Sequence, residues 1–224
     1  MQALEEKLGY RFKERGLIIN ALTHSSYANE NRGRSCESNE RLEFLGDSVL
    51  GLVVADALYR SFPELPEGRM TRLRAQLVCE ESLHAVAMQL GLGEYIRLGR
   101  GEEHTGGRTR TSILADAVEA IIAAMYLDGG IEVSRAFITR FILTGTEHAL
   151  AASGDYKTEL QELVQKKSGS VLSYELLGES GPDHDKTFTS QVSLNGEPIG
   201  SGSGRTKKEA EQAAARAALR VLRR

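Results

Sequence analysis

The spacing of apolar residues changes period once along this 224-residue chain, close to residue 149. Before that point, apolar residues recur at helical spacing in segments such as LEFLGDSVLGLVVADALYRSF and TSILADAVEAIIAAMYLDGG, which predicts amphipathic helices. After that point, LSYELLGES and KTFTSQVSLNG alternate apolar and polar residues, a pattern typical of half-buried strands. The change of period therefore predicts two domains of different fold class.

The two predicted domains are separated by a short linker. Residues 1–148 are expected to form an all-α domain, and residues 149–155 are expected to be the linker, because small and polar residues weaken the helical pattern there. The spacing of apolar residues in residues 156–224 predicts a small α+β domain with the order α-β-β-β-α. Thr206 and Glu209 have capping-box spacing at the start of its last helix. The buried face of that helix is expected to contain Ala210, Ala213, Ala214, Ala217 and Val221.

Acidic residues continue the apolar face of one predicted helix in the first domain. In NERLEFLGDSVL, Glu40, Glu43 and Asp47 have i, i+3, i+7 spacing, so they share one helical face. The same face continues into Leu50 and Val54. Carboxylates are rarely placed in line with a buried stripe unless a positive charge accompanies them, because desolvating an ionised carboxylate is costly.

A second predicted helix repeats this arrangement. In SILADAVEA, Asp116 and Glu119 are three residues apart, and their face also continues into apolar residues. Crowding carboxylates from two helices would raise their pKa values, and a divalent cation between them would offset that repulsion. Carboxylate oxygens suit Mg²⁺ or Mn²⁺. The alternative is that the acidic pairs are solvated, or are paired with an arginine such as Arg41 or Arg74.

Composition and motifs argue against several other classes of protein. The 41% hydrophobic and 26% charged residues are typical of a globular chain. The longest apolar run, AIIAAMYL, is shorter than the roughly 20 residues of a membrane span, so no membrane association is expected. A Walker-type phosphate loop is missing from the sequence, and no nucleotide cofactor is expected. Cys36 and Cys79 lack disulfide or metal-site spacing, which favours free thiols in the cytoplasm.

Positive charge is concentrated at the C-terminal end of the chain. The formal net charge is −3, yet residues 205–224 contain seven basic and two acidic side chains. Arg205, Lys207 and Lys208 lie at the start of the last predicted helix, where the helix N-terminus already favours phosphate. The alternative is an ordinary solvated, lysine-rich helix start.

Polar residues elsewhere in the second domain complete a candidate surface for binding nucleic acid. Thr158 and Gln161 share one face of its first helix, and His184 lies in the loop ESGPDHDKTF. The strands carry no row of aromatic residues on which single-stranded bases could stack. The surface therefore suits the shape of a duplex better than a base sequence.

The segment NERLEFLGDSVL closely resembles the signature of the bacterial ribonuclease III family. The segments KTELQELVQKK, GPDHDKTF and GRTKKEAEQAAARAAL resemble a double-stranded-RNA-binding domain, so the resemblance covers essentially the whole chain. It implies a homodimeric endoribonuclease that hydrolyses double-stranded RNA with Mg²⁺, for which Mn²⁺ can substitute. Its expected products have 5′-phosphate and 3′-hydroxyl ends with short 3′ overhangs, and its expected substrates are structured precursors such as ribosomal RNA.

The resemblance also implies roles for individual residues. The implied metal ligands are Glu43, Asp47, Asp116 and Glu119. The implied catalytic residues are Asp47, Glu119 and Glu40. The implied RNA contacts are Thr158, Gln161, His184, Arg205, Lys207 and Lys208. The implied dimer-interface residues are Phe44 and Glu67. The competing hypothesis is a double-stranded-RNA-binding protein whose nuclease-like domain serves only as a dimerisation scaffold.

Overall fold

The chain divides into two compact units, Met1–Leu150 and Ala151–Arg224. The structure is a computed structural model and describes residues 1–31, 36–146, 156–165, 170–182 and 186–222. The expected linker, residues 149–155, and the expected RNA contact His184 lie outside the described residues.

The first unit is helical, as the period of its apolar residues predicts. Three short 3₁₀ turns and one isolated bridge, between Thr23 and Arg97, complete its described secondary structure. No helix among the residues that the structure describes is long and apolar enough to cross a membrane. The helices are α1 (Gln2–Leu8), α2 (Arg15–Ala21), α3 (Ser25–Glu30), α4 (Glu40–Ser61), α5 (Glu67–Leu77), α6 (Glu80–Leu90), α7 (Arg100–His104), α8 (Thr111–Gly129) and α9 (Ile131–Phe141).

Helices α4 and α8 pack against each other at the centre of the first unit. Most of α8 is buried, because its own residues between Ile113 and Met125 are apolar on nearly every side of the helix. The residues Leu50 and Val54 of α4, on the face that carries the acidic residues, are fully buried. Asn39 fixes the start of α4, because its backbone nitrogen donates to the carbonyl of Thr23 over 2.8 Å. The two acidic helices are therefore rigid parts of one core.

Asp128, near the end of α8, ties the N-terminal segment to this core. Its carboxylate accepts hydrogen bonds from the hydroxyl of Tyr10 (2.7 Å) and from the backbone nitrogens of Lys13 (2.9 Å) and Glu14 (2.9 Å). Burial, together with the hydrogen bond to Asp128, raises the pKa of Tyr10 to about 12. Burial works against ionisation of Asp128, but the three hydrogen bonds prevail and lower its pKa.

The second unit has the predicted α-β-β-β-α order. It contains α10 (Tyr156–Gln165), β1 (Leu172–Ser180), β2 (Thr187–Leu194), β3 (Glu197–Gly204) and α11 (Lys207–Leu222). The strands form an antiparallel sheet in the order β1-β2-β3, with Tyr174 opposite Val192. Asn195 and Gly196 link β2 to β3 with positive φ angles of 51° and 87°, as a tight two-residue hairpin requires.

Helix α11 lies directly on β3 because alternate residues of that strand are glycines. A Cβ atom added at Gly202 would lie 2.4 Å from backbone atoms of Ala213 and Ala214, so any side chain there would push the helix away. The expectation that Val221 is buried is wrong, since it is 61% exposed. The helix is instead rotated so that the residues it buries are Ala210, Ala214, Ala215, Ala218 and Leu219.

Candidate active site

Three carboxylates from two helices meet where α4 packs against α8. One carboxylate oxygen each from Glu43, Asp116 and Glu119 lies within 4.8 Å of the others, and all three residues are partly buried. Among the described residues, none of the three forms an ion pair with a basic side chain. The alternative in which Arg41 or Arg74 neutralises these carboxylates therefore has no support in the described part of the chain.

The remaining two acidic residues of the signature lie on the solvent side of this cluster. Asp47 is exposed and is not one of the three residues within 4.8 Å, although its charge acts on both Glu43 and Glu119. Glu40 is also exposed, and its carboxylate accepts a hydrogen bond from the hydroxyl of Ser38 over 2.8 Å. The structure thus brings together three of the four expected metal ligands and places the fourth at their edge.

Burial and mutual repulsion make the cluster hard to ionise. Burial, followed by the negative charges of Asp47, Glu43 and Asp116, raises the pKa of Glu119 to about 7. Burial and the charges of Asp116, Glu40 and Asp47 also raise the pKa of Glu43. A nearby cation would remove this penalty, because it favours the charged form of every carboxylate around it.

Two residues to which the sequence patterns assign no role at this site influence Asp116. Burial and the negative charge of Glu80 raise the pKa of Asp116, and the charge of His24 opposes that rise. Glu80 begins α6, which packs against α8. His24 caps α3, and its Nδ1 atom accepts a hydrogen bond from the backbone nitrogen of Ser26 over 3.3 Å. Sequence spacing gives no signal for either residue, because both approach through packing between distant helices.

The three-carboxylate cluster fits a small divalent cation. Mg²⁺ binds oxygen at about 2.0–2.1 Å, so two oxygen ligands of one ion lie at most roughly 4.2 Å apart. The three oxygens lie within 4.8 Å of one another, so side-chain adjustment of a few tenths of an ångström at most brings them within this limit. An all-oxygen donor set suits Mg²⁺ or Mn²⁺ rather than a soft metal.

The five RNA-contact candidates that the structure describes lie on, or just before, the two helices of the second unit. Arg205, Lys207 and Lys208 are exposed at the start of α11 and form no ion pair among the described residues. The hydroxyl of Thr206 accepts from the backbone nitrogen of Glu209 over 3.1 Å, half of the predicted capping box. The Glu209 carboxylate accepts from the backbone nitrogen of Arg205 over 2.8 Å instead of from that of Thr206.

The other two described candidates lie on α10. Thr158 is partly buried and Gln161 is exposed, three residues apart on the same helix. Their spacing places both side chains on one side of α10. The loop residue that was expected to act with them, His184, belongs to the part of the chain outside the described ranges.

An exposed apolar strip follows the outer face of α4. Phe44 is 79% exposed, Leu52 is 62% exposed and Tyr59 is 72% exposed. Leu52 and Tyr59 also line a groove of about 440 Å³ between α4 and α5, and the carboxylate of Glu67 at this groove accepts a hydrogen bond from Thr71 over 2.7 Å. Exposed apolar side chains beside a groove are typical of a protein interface.

Comparison with known proteins accounts for both units. Residues 14–146 match the family model described as ribonuclease-III-like, and residues 156–222 match the double-stranded RNA binding motif. The chain is 51% identical to ribonuclease 3 of Desulforamulus reducens, over 98% of this chain and 90% of that protein. It is 48% identical to ribonuclease 3 of Listeria monocytogenes serotype 4a, over 99% of this chain and 97% of that protein.

A solved structure gives the same assignment for the first unit. The nuclease domain of ribonuclease III from Campylobacter jejuni is 44% identical, with a TM-score of 0.59, over 63% of this chain and 94% of that domain. That structure was described for flexibility in a region involved in dimer formation. Together with the acidic cluster shared by α4 and α8, these matches establish that the chain belongs to the ribonuclease III family.

Proposed function

We propose that this endoribonuclease hydrolyses double-stranded RNA at the cluster of Glu43, Asp116 and Glu119, with Mg²⁺ as its resident ion. The observation that carries the proposal is the convergence of three carboxylates within 4.8 Å on two packed helices, without a basic partner among the described residues. A pure dimerisation scaffold has no need for such a cluster, because its unneutralised charge destabilises the fold. In a metal-dependent nuclease, by contrast, the same carboxylates are needed to bind the ion, which explains why the chain keeps them despite this destabilisation.

The five acidic residues divide the work of this mechanism between holding the ion and acting on water and substrate. Glu43, Asp116 and Glu119 would hold the ion, and the packing of α4 on α8 fixes their positions before RNA arrives. When bound, the ion activates water and stabilises negative charge on the scissile phosphate and the leaving 3′-oxygen. Asp47, exposed beside the cluster, adds negative charge and accepts a hydrogen bond from the attacking water. Glu40, also exposed, acts on the substrate side.

The expected products follow from the bond that breaks. Cleavage between phosphorus and the 3′-oxygen leaves a 5′-phosphate and a 3′-hydroxyl. We further propose that two subunits each cut one strand, which leaves short 3′ overhangs. Structured cytoplasmic precursors such as ribosomal RNA stems and messenger RNA hairpins are the proposed substrates.

The proposed function is tested by incubating the protein with a long RNA duplex and with each of its single strands. We expect the duplex to be shortened in Mg²⁺ or Mn²⁺, both single strands to survive, and a chelator to stop the reaction. End-labelling should then detect 5′-phosphate and 3′-hydroxyl termini. A protein that binds the duplex but never shortens it in either metal would be an RNA-docking protein and not the nuclease proposed.

The double variant Lys207→Ala/Lys208→Ala should bind duplex RNA more weakly than the wild type, and its affinity should depend less steeply on salt concentration. We propose that both lysines contact phosphates from the start of α11, with Arg205 beside them. Each phosphate contact contributes about 0.7–0.9 to the slope of log affinity against log salt, so two lost contacts should reduce the slope by about 1.4 to 1.8. Filter binding across a salt series measures this change.

The matched control for this prediction is Arg220→Ala. Arg220 is exposed in the last turn of the same helix, about 20 Å from the lysines at 1.5 Å per residue. This control should retain the wild-type slope. An unchanged slope in the double lysine variant would remove both lysines from the RNA-binding surface, whereas Thr158, Gln161 and His184 would remain candidates.

Phe44→Asp should dissociate the proposed homodimer. Phe44 and Glu67 border the apolar strip and groove on α4 and α5, and dimer formation has been described for the related Campylobacter jejuni domain. Burying a phenylalanine contributes about 1.5–3 kcal/mol, so a charge there should raise the dimer dissociation constant by roughly 100-fold or more. Sedimentation equilibrium measures this dissociation constant.

The control for this prediction is Met88→Asp, at an exposed apolar residue of α6, which should leave the dimer intact. Equal dissociation constants for wild type and Phe44→Asp would contradict this interface.

A further inference from the structure

Gly46 lies at a very close approach of α4 to α8, beside the acidic cluster. A Cβ atom built at Gly46 would lie 1.9 Å from the backbone carbonyl oxygen of Glu119 and 2.4 Å from its carbonyl carbon. Ordinary contacts of a Cβ atom begin at 3.4 Å, so even one methyl group would require a displacement of about 1.5 Å. The contacted atoms belong to helix backbone, which cannot rotate away as a side chain can.

A second glycine of the same helix lacks this contact. Gly51 has no atom within 4 Å of an added Cβ, although it lies only five residues further along α4. Two glycines of one helix therefore differ sharply in what surrounds them. The close approach of the helices at Gly46 coincides with the acidic cluster, since Glu43 lies one turn before Gly46 and Asp47 directly follows it.

We infer that Gly46 is a positioning residue, whose missing side chain sets the distance between α4 and α8 at which their carboxylates share one cation. This inference rests on the proposed metal site. The three ligand oxygens lie within 4.8 Å of one another, and two oxygens bound to one Mg²⁺ lie at most roughly 4.2 Å apart, so the site leaves little room for the helices to separate. Moving α4 a further 1.5 Å from the backbone of Glu119 would take Glu43 and Glu119 out of reach of a shared ion.

The test compares Gly46→Ala with Gly51→Ala in the full-length protein. Both substitutions raise the helix propensity of α4 in the same way, so their difference reports the contact with Glu119. Binding of Mg²⁺ by calorimetry and of Mn²⁺ by electron paramagnetic resonance should be unchanged in Gly51→Ala. In Gly46→Ala we expect metal affinity to fall by roughly tenfold or more, as for other residues that orient metal ligands. The Mg²⁺-dependent rise in Tm should fall with it.

Cleavage kinetics give a second readout, in which recovery at high metal concentration separates weaker metal binding from a smaller fraction of active protein. In Gly46→Ala, kcat at a fixed Mg²⁺ concentration should fall while KM for duplex RNA stays near the wild-type value, because the contacts proposed for RNA binding lie elsewhere. Raising the Mn²⁺ concentration should recover part of the lost kcat. Wild-type metal affinity in a folded Gly46→Ala protein would overturn the inference.

Glu119→Gln separates failure of this inference from failure of the metal site itself. If Glu119→Gln binds metal like the wild type, the site assignment is wrong and the inference falls with it. If Glu119→Gln loses metal binding and Gly46→Ala does not, only the positioning role is wrong. Should Gly46→Ala not fold, Gly46→Ala/Gly51→Ala is measured instead. Failure of both to fold would also overturn the inference, because Gly46 would then support the whole core and not the site.

Discussion

Glu119→Gln should lose duplex cleavage by about 10³-fold or more while it binds duplex RNA like the wild type. The substitution keeps the size of the side chain and removes only its charge. One preorganised electrostatic contact contributes about 10²–10³ to kcat, and Glu119 is also expected to hold the ion that supplies such contacts. Single-turnover cleavage with excess enzyme measures the loss, and filter binding in a chelator measures RNA affinity.

The control for this experiment is Glu81→Gln, which removes an exposed carboxylate of α6 outside the cluster. We expect it to cleave at the wild-type rate. A Glu119→Gln protein that keeps more than about a tenth of the wild-type rate would show that the ion is held without this carboxylate. Parallel loss of RNA binding would instead indicate that the substitution disturbs more than the site.

The metal-free protein should lose stability as the pH rises from 5 to 8, and Glu119→Gln should lose less. The pKa of Glu119 is raised from its usual 4.5 to about 7, so the folded state holds this proton more tightly than the unfolded state. The stabilising contribution is full below pH 4.5 and is lost as the pH rises through about 7. After allowance for solvent screening, we expect a loss on the order of 2 kcal/mol.

Urea unfolding in a chelator at pH 5 and pH 8 measures this effect as the difference between wild type and Glu119→Gln. At pH 8 the metal-free variant should be the more stable protein, and adding Mg²⁺ should stabilise only the wild type. The pKa values of Glu43 and Asp116 are raised as well, so part of the pH dependence should remain in the variant. A wild-type protein that is more stable than Glu119→Gln at pH 8 without metal would contradict the repulsion described here.

The elements of the fold follow from the sequence because each carries a local period. The acidic face of α4 and the alternation of β2 indicate their own secondary structure, and the two fully buried residues Leu50 and Val54 agree with the helical face. The spacing of apolar residues does not show which other helix or strand packs against the apolar face that it predicts. Val221 illustrates this limit, since it lies on the face that the spacing of α11 favours, yet it is 61% exposed.

The site could be predicted in part for the same reason. Spacing places Glu43 with Asp47, and Asp116 with Glu119, on the faces of their helices. Spacing does not reveal that Asp47 is exposed. Residues at the buried edge and at the solvent edge of one helical face recur at the same spacing, so the sequence pattern cannot tell them apart. It also cannot reveal contacts that depend on how whole helices pack. The influence of Glu80 on Asp116, through the packing of α6 on α8, is one such contact.

A close contact between the backbones of two helices is the hardest feature to predict from a sequence. A glycine in the middle of a helix usually lowers its stability, and nothing in its neighbours distinguishes a needed glycine from a tolerated one. Gly46 and Gly51 both occur within α4, yet only Gly46 faces the backbone of Glu119. Only the packed structure separates the two.

Crystals soaked in Mn²⁺ test the central claim most directly, because anomalous scattering locates the ion without assumptions about its ligands. The account predicts an anomalous peak between α4 and α8, coordinated by carboxylate oxygens of Glu43, Asp116 and Glu119. The same peak should be absent in crystals of Glu119→Gln. An ion bound elsewhere, or these three carboxylates pointing apart with an arginine beside each, would contradict the account.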